Sequence, residues 1–183
     1  MRKAAALAAV FSFAAAFALA QKKTAAPPPP SVTPAAIWKE VDRLVSDQKM
    51  EEASKKVAAI RAAARARGDA DEETRALVRE VQLRTALHGY ETSVRFLKDQ
   101  PWPQSLVPRT TLRLFYAQSL VTYAQAYSWE IGQRETVASK GAVDLKAWTR
   151  DEIRAEAVRA YVEVWKDREA LGRLKVDAIA DVL

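Results

Sequence analysis

A chain of 183 residues with a formal net charge of +6 and no cysteine has room for one ordinary domain and a tail, and it excludes a disulfide framework, a thiolate metal site and a cysteine nucleophile. Hydrophobic residues at 49% support a real core, and only five glycines among abundant alanine and leucine favour helix over sheet. The basic excess is scattered among acidic residues rather than gathered in a stripe, which argues against a nucleic-acid partner.

Residues 1–20 have the three parts of a secretory signal. Arg2 and Lys3 give a short positive start, an uncharged apolar run follows, and Ala18-Leu19-Ala20 is a small-x-small cleavage site before Gln21. The alternative is an uncleaved membrane anchor, but the run is alanine-rich and only moderately hydrophobic, which favours cleavage. Gln21 stands where a bacterial lipoprotein would carry cysteine. The expected location is the periplasm or the extracellular space, with no stable membrane span after cleavage. Residues 21–33 form a proline-rich linker: Pro27, Pro28, Pro29 and Pro30 fix φ and favour extended polyproline II. A spacer is the favoured reading over a docking motif for a proline-binding module.

Residues 34–183 read as one all-α domain. Thr33 and Pro34 suit the N-cap and first position of a helix ending near Asp47, with Ile37, Trp38, Val41, Leu44 and Val45 as its stripe. A second helix over Met50–Arg67 buries Ala53, Val57, Ile60 and Ala64 and stops at Gly68-Asp69. The short connection predicts an antiparallel hairpin. A third helix spans about 71–87, with Leu77, Val78, Val81 and Ala86 apolar and Gly89 as terminator; a fourth spans 90–98 with Val94, Phe96 and Leu97. Pro101, Pro103 and Pro108 then impose a loop, which Trp102 packs onto the domain.

The central helix is expected from about 109 to 129. Leu112, Tyr116, Leu120, Tyr123, Tyr127 and Ile131 recur at three- and four-residue steps, while Leu114, Ala117, Val121, Ala124 and Ser128 form a smaller face. No charge lies between Arg113 and Glu130, so the helix reads as buried on both faces beneath two neighbours. After a loop at 140–145 containing Gly141, Thr149 and Glu152 have capping-box spacing. The helix over 149–168 that they open carries Ile153, Ala157, Val158, Tyr161, Val164 and Trp165 on one side, and Val176, Ile179, Val182 and Leu183 start a further apolar pattern. The expected architecture is antiparallel helical hairpins around a central apolar helix, α-solenoid-like. A Trp early in the first helix and small residues in the second resemble tetratricopeptide repeats, without their full signature or a 34-residue period.

No catalytic, cofactor-binding or metal-ligating residue is expected. His88 is the lone histidine and sits near a helix C-terminus, which favours a capping role over catalysis. Asp69, Asp71, Glu72 and Glu73 favour the N-terminal end of a helix dipole and lack the spacing of a Ca²⁺ loop. Tyr116, Tyr123, Tyr127 and Trp129 could line a pocket, but at helical spacing they are read as core. Lys55, Lys56, Arg61, Arg65 and Arg67 are read as a solvated basic flank.

Three stretches, WKEVDRLVSDQKMEEASKKVAAIRAAARARGD, LRLFYAQSLVTYAQAYSWEIGQRE and DLKAWTRDEIRAEAVRAYVEVWKDREALGRLKVDAIADVL, taken in this order and spacing, resemble the N-terminal helical region of large exported bacterial α2-macroglobulin proteins. The resemblance implies a leading, non-enzymatic helical module of a longer protease-trapping or inhibitor protein. Its partners would be the downstream domains of the same chain or another envelope protein, and proteases through the full-length protein. No bait or thioester residue carries over. The turn at 132–136 departs from the family pattern, being polar where an aromatic-Asn turn is expected. The alternative is a stand-alone exported adaptor of the tetratricopeptide type; an exported hydrolase ranks last for want of residues.

Overall fold

The computed structural model describes residues 34–135 and 144–177. The secretory signal, the proline-rich linker, Gly141 and residues 178–183 lie outside the described residues. Those described form eight helices and no strand: α1 (Pro34–Ser46), α2 (Met50–Arg67), α3 (Ala70–Ala86), α4 (Tyr90–Asp99), α5 (Leu106–Ala126), α6 (Ser128–Gly132), α7 (Arg150–Lys166) and α8 (Arg168–Gly172). None is long and apolar enough to cross a membrane.

The first four helices pack in succession, each on the next. Their three connections use one device. Gln48, Gly68 and His88 each take positive φ, near +60 to +69°, at intervals of 20 residues. At each, two backbone N–H groups fold back onto the last turn of the helix just ended. Gln48 N donates to Val45 O and Lys49 N to Leu44 O; Gly68 N donates to Arg65 O and Asp69 N to Ala64 O; His88 N donates to Thr85 O and Gly89 N to Arg84 O. This is the Schellman arrangement, which satisfies carbonyls that a helix end would otherwise leave open. It corrects the third boundary: His88 takes the left-handed position, and Gly89 caps the start of α4 with φ −83°. Gly89 is needed there for space, since a Cβ would stand 2.9 Å from Arg84 O.

Glutamine and histidine at left-handed positions carry a steric penalty of about 1 kcal/mol. Gln48→Gly and His88→Gly are therefore each expected to raise stability by roughly 0.5 kcal/mol, the remainder after the added freedom of the unfolded chain. Urea melts of the two variants check this; an unchanged or lowered midpoint would contradict it.

The core forms two clusters that meet at α3. Trp38, Val41 and Leu44 of α1 and Ala53, Val57 and Ile60 of α2 gather with Ala76 and Leu83 of α3. On its other side, α3 contributes Leu77, Val78 and Val81 to the larger cluster built by α4, α5 and α7. The α2 positions inside are the four expected from its sequence. In α3, Ala86 proves exposed, whereas Glu73, Thr74 and Glu80 are buried.

Helix α5 starts at Leu106, three residues before the expected position. Pro108 lies in its first turn and is buried, where a missing N–H breaks no intrahelical bond. The helix closes at Tyr127 rather than Trp129, and α6 follows after this break. Its bulky face is inside as expected, with Leu112, Tyr116, Leu120 and Tyr123 buried. The reading of a helix without a solvent side is corrected: Leu114, Gln118 and Gln125 are exposed. The reason is that α3, α4 and α7 cover only part of its circumference. The loop before α5 is pinned by Trp102, whose Nε1 donates to Leu97 O at 2.7 Å and whose ring meets Tyr116 edge-on at 6.1 Å.

Candidate functional site

Helix α7 packs on α5, and the capping box places its start. Thr149 N donates to Glu152 Oε2 at 2.7 Å, and Glu152 N donates back to Thr149 Oγ1 at 3.4 Å. From that start, Ile153, Glu156, Ala157 and Ala160 fall on the inner face. The helix ends at Lys166, and Asp167 turns the chain into α8.

One edge of the α5–α7 contact is bridged by charge, around a recess of about 280 Å³ whose lining includes Lys98, Arg113, Tyr116, Glu156 and Arg159. Tyr116 Oη donates to Glu156 Oε1 at 2.8 Å, Arg159 donates to Glu156 Oε2, and Lys98 Nζ stands 3.6 Å from the same carboxylate. Burial alone would raise the Glu156 pKa, but the hydrogen bonds from Arg159 and Tyr116 and the nearby charges of Arg159 and Lys98 bring it below the ordinary value. Burial, then the bond to Glu156, pushes the Tyr116 phenol well up, so it stays protonated and donating. Farther along, Asp167 accepts from Arg109 at 3.1 Å and Arg113 at 3.4 Å. Every carboxylate of this edge is engaged by cations, so it works as a clasp between α5 and α7.

The sign of the Glu156 shift fixes a pH dependence. A carboxylate whose pKa is depressed by folding adds stability above its unfolded pKa, and this is lost as pH falls through the folded value. Glu156→Gln is therefore expected to lower the melting temperature at neutral pH and to flatten its fall on the acid side. Melts from neutral pH to below pH 3 check this; a variant with the parent's full acid slope would contradict it.

A second clasp lies at the far end of α5. Arg134 donates to Leu145 O at 2.7 Å, to Trp148 O at 2.8 Å and to Tyr123 Oη at 3.3 Å, while Tyr123 Oη donates to Leu145 O at 2.9 Å. One guanidinium thus ties the segment before α7 to the core. The polar turn after α6 carries this residue. Nothing in the one-dimensional pattern marks Arg134, because two of its three partners are backbone carbonyls and the third is a distant tyrosine hydroxyl.

The other edge of the α5–α7 contact is open. Val121, Ala124, Ala157, Val158 and Tyr161 line a recess of about 380 Å³, with Gln125, Ser128, Arg150 and Arg154 at its margin. The smaller face of α5, expected to lie under a neighbour, forms one wall. The outer side of α7 is bare as well: Trp165 is 67% exposed, Val158 50% and Val162 46%. Another recess of about 380 Å³ lies between α3, α4 and α5, with no charged side chain among the described residues of its lining.

The remaining candidates fall in place separately. His88 is exposed at its turn, with Tyr90 Oη 3.4 Å from Nδ1. Asp69 caps α3 by accepting from Glu72 N at 3.1 Å, Glu72 accepts from Trp38 Nε1 at 2.8 Å, and Glu73 pairs with Arg65 at 2.6 Å. Tyr116 and Tyr123 are core, Tyr127 is half-buried against Tyr123 with ring centroids 5.2 Å apart, and Trp129 is exposed. The basic flank of α2 is corrected in part. Lys55 and Lys56 are solvated, but Arg61 reaches Glu80 at 2.6 Å and Gln100 at 2.7 Å, and its guanidinium stands 5.4 Å from the Phe96 ring centre. A charged residue facing a neighbouring helix is indistinguishable from a solvated one until that neighbour is placed. Among the described residues, no group of three or more acidic or histidine side chains could hold a metal ion.

Compared with protein-family models, curated proteins and solved structures, the chain finds no match.

Proposed function

We propose that this chain is an exported, non-enzymatic helical module that acts by binding, and that it forms the N-terminal part of an α2-macroglobulin-like protease-trapping protein. The observation that carries the binding reading is the uneven finish of the α5–α7 pair. One edge is bridged by Glu156 and Asp167 with their cations around a polar-lined recess, and the other leaves a bare apolar recess. Contiguous apolar surface left open on a polar domain is a mark of an interaction site. The placement within a larger trap rests on the order and spacing of the three sequence stretches, and export rests on residues 1–20.

The gene tests this placement. An open frame running past Leu183 into strand-rich sequence, with the Cys and Gln of a thioester in thioester-bearing members, is the expected result. A stop codon directly after Leu183 in the intact gene would overturn it. A second reading, a stand-alone adaptor of the tetratricopeptide type, is favoured by one observation: the same Schellman turn recurs at 48, 68 and 88 and joins the first four helices, which pack in succession.

A further inference from the structure

The open recess does not end at Tyr161. Val158 and Tyr161 line both it and a second depression of about 430 Å³, which runs over the outer side of α7 past Val162 and Trp165 to Leu171 of α8. Together they make one elongated apolar track along α7. Among the described residues its charged lining is of one sign: Arg150 and Arg154 at one end, Arg168 at the other, and no carboxylate in either half. Arg150 donates to Ser128 O at 3.2 Å, and Arg168 donates to Trp165 O at 3.1 Å and lies 3.6 Å from Glu169. Arg154 is exposed and engages no other described residue.

We propose that this track docks an amphipathic helix of a partner protein, one that carries apolar side chains along one face and carboxylates on its flank. A helix laid in a groove offers anchors at i, i+3, i+4 and i+7, a linear array that matches an elongated apolar floor. Arginines at both ends, with no acid among the described lining residues, attract an acidic flank and repel a basic one. Arginine is also suited to a carboxylate, because its planar fork can hold both oxygens. A lipid surface would satisfy Trp165 and the arginines. It would not fill the recess between α5 and α7, whose floor includes the buried Ala157. The proposal rests on the reading of the chain as a binding module. The reading frame tests where that module belongs and the titration below tests this face, so either can fail without the other.

The test uses the full chain and two fluorescein-labelled designed helices read by anisotropy. Both carry leucines at i, i+3, i+4 and i+7; one has glutamates on its flank and the other lysines. The acidic probe is expected to bind saturably and about tenfold more tightly than the basic one. Arg154→Glu should abolish or reverse that preference without changing the melting temperature, because Arg154 engages no other described residue. Trp165→Ala should weaken the acidic probe. Equal binding of both probes, no binding of the acidic one, or a preference that survives Arg154→Glu would overturn the proposal. Binding to phosphatidylglycerol vesicles without binding to the acidic probe would overturn it in favour of a membrane surface. Binding of the acidic probe only after removal of residues 178–183 would assign the track to those residues of the same chain, and the partner helix would fall.

Discussion

Tyr123→Asp is expected to unfold the domain at temperatures where the parent is fully native. Tyr123 is 2% exposed and sits between Leu120 and Tyr127 in the larger cluster. Its ring packs against Tyr127, and its hydroxyl joins Arg134 and the Leu145 carbonyl. Aspartate removes the ring, leaves a cavity and puts a charge into an apolar site. An uncompensated buried charge costs roughly 3–5 kcal/mol, against a total stability for such a domain of about 5–15 kcal/mol. Tyr123→Phe separates the parts: it keeps the ring and loses only the hydroxyl bonds, so it should cost about 1 kcal/mol. Leu145 O keeps Arg134 as a donor in that variant. Urea melts followed by circular dichroism check the pair, and an aspartate variant with the parent's midpoint would show that this face of α5 is not buried.

The second large effect is expected from Arg61→Ala. Glu80 is 4% exposed at the α2–α3 contact, and Arg61 is its close partner at 2.6 Å; Arg84 approaches only to 3.8 Å. Taking away one member of a buried pair leaves the other desolvated, at a loss of roughly 3 kcal/mol. The same change also removes the bond to Gln100 and one of the two guanidinium groups over Phe96. Replacing both charges by apolar residues, Arg61→Met with Glu80→Leu, should recover much of the loss, because no charge is then stranded. A double variant no more stable than Arg61→Ala would show that the pair holds α2 to α3 by more than mutual neutralisation.

How much of this was legible in sequence depended on whether a residue's fate is settled locally. Helix α2 was readable at both ends, because Gly68 announces a left-handed stop and the spacing of Ala53, Val57, Ile60 and Ala64 leaves one inner face. The capping box at Thr149 was readable for the same reason: donor and acceptor lie within one turn. Gln48 and His88 adopt the conformation of Gly68 but carry no local mark of it, so the regular recurrence of the turn was hidden. Pro108 was misread as a breaker because its effect depends on its distance from the helix start, and that start is set by the loop Trp102 pins down. The candidate site divides in the same way. The stripe of Val158, Tyr161 and Trp165 was visible from helical spacing, but whether anything covers it is a question of neighbours. Arg61 and Glu80 look like ordinary surface charges along the chain and become a buried pair only when α2 and α3 meet.

Helix α7 turns a charge-bridged edge to α5 on one side and an open apolar track on the other. Hydroxyl-radical footprinting of the full chain, read residue by residue by mass spectrometry, tests it most directly. Trp165 and Tyr161 are expected to oxidise rapidly alongside Trp129, and Trp38, Tyr116 and Tyr123 slowly, in keeping with their burial. Protection of Trp165 to the level of Trp38 in the isolated chain would mean that the track is already covered, and would contradict the account.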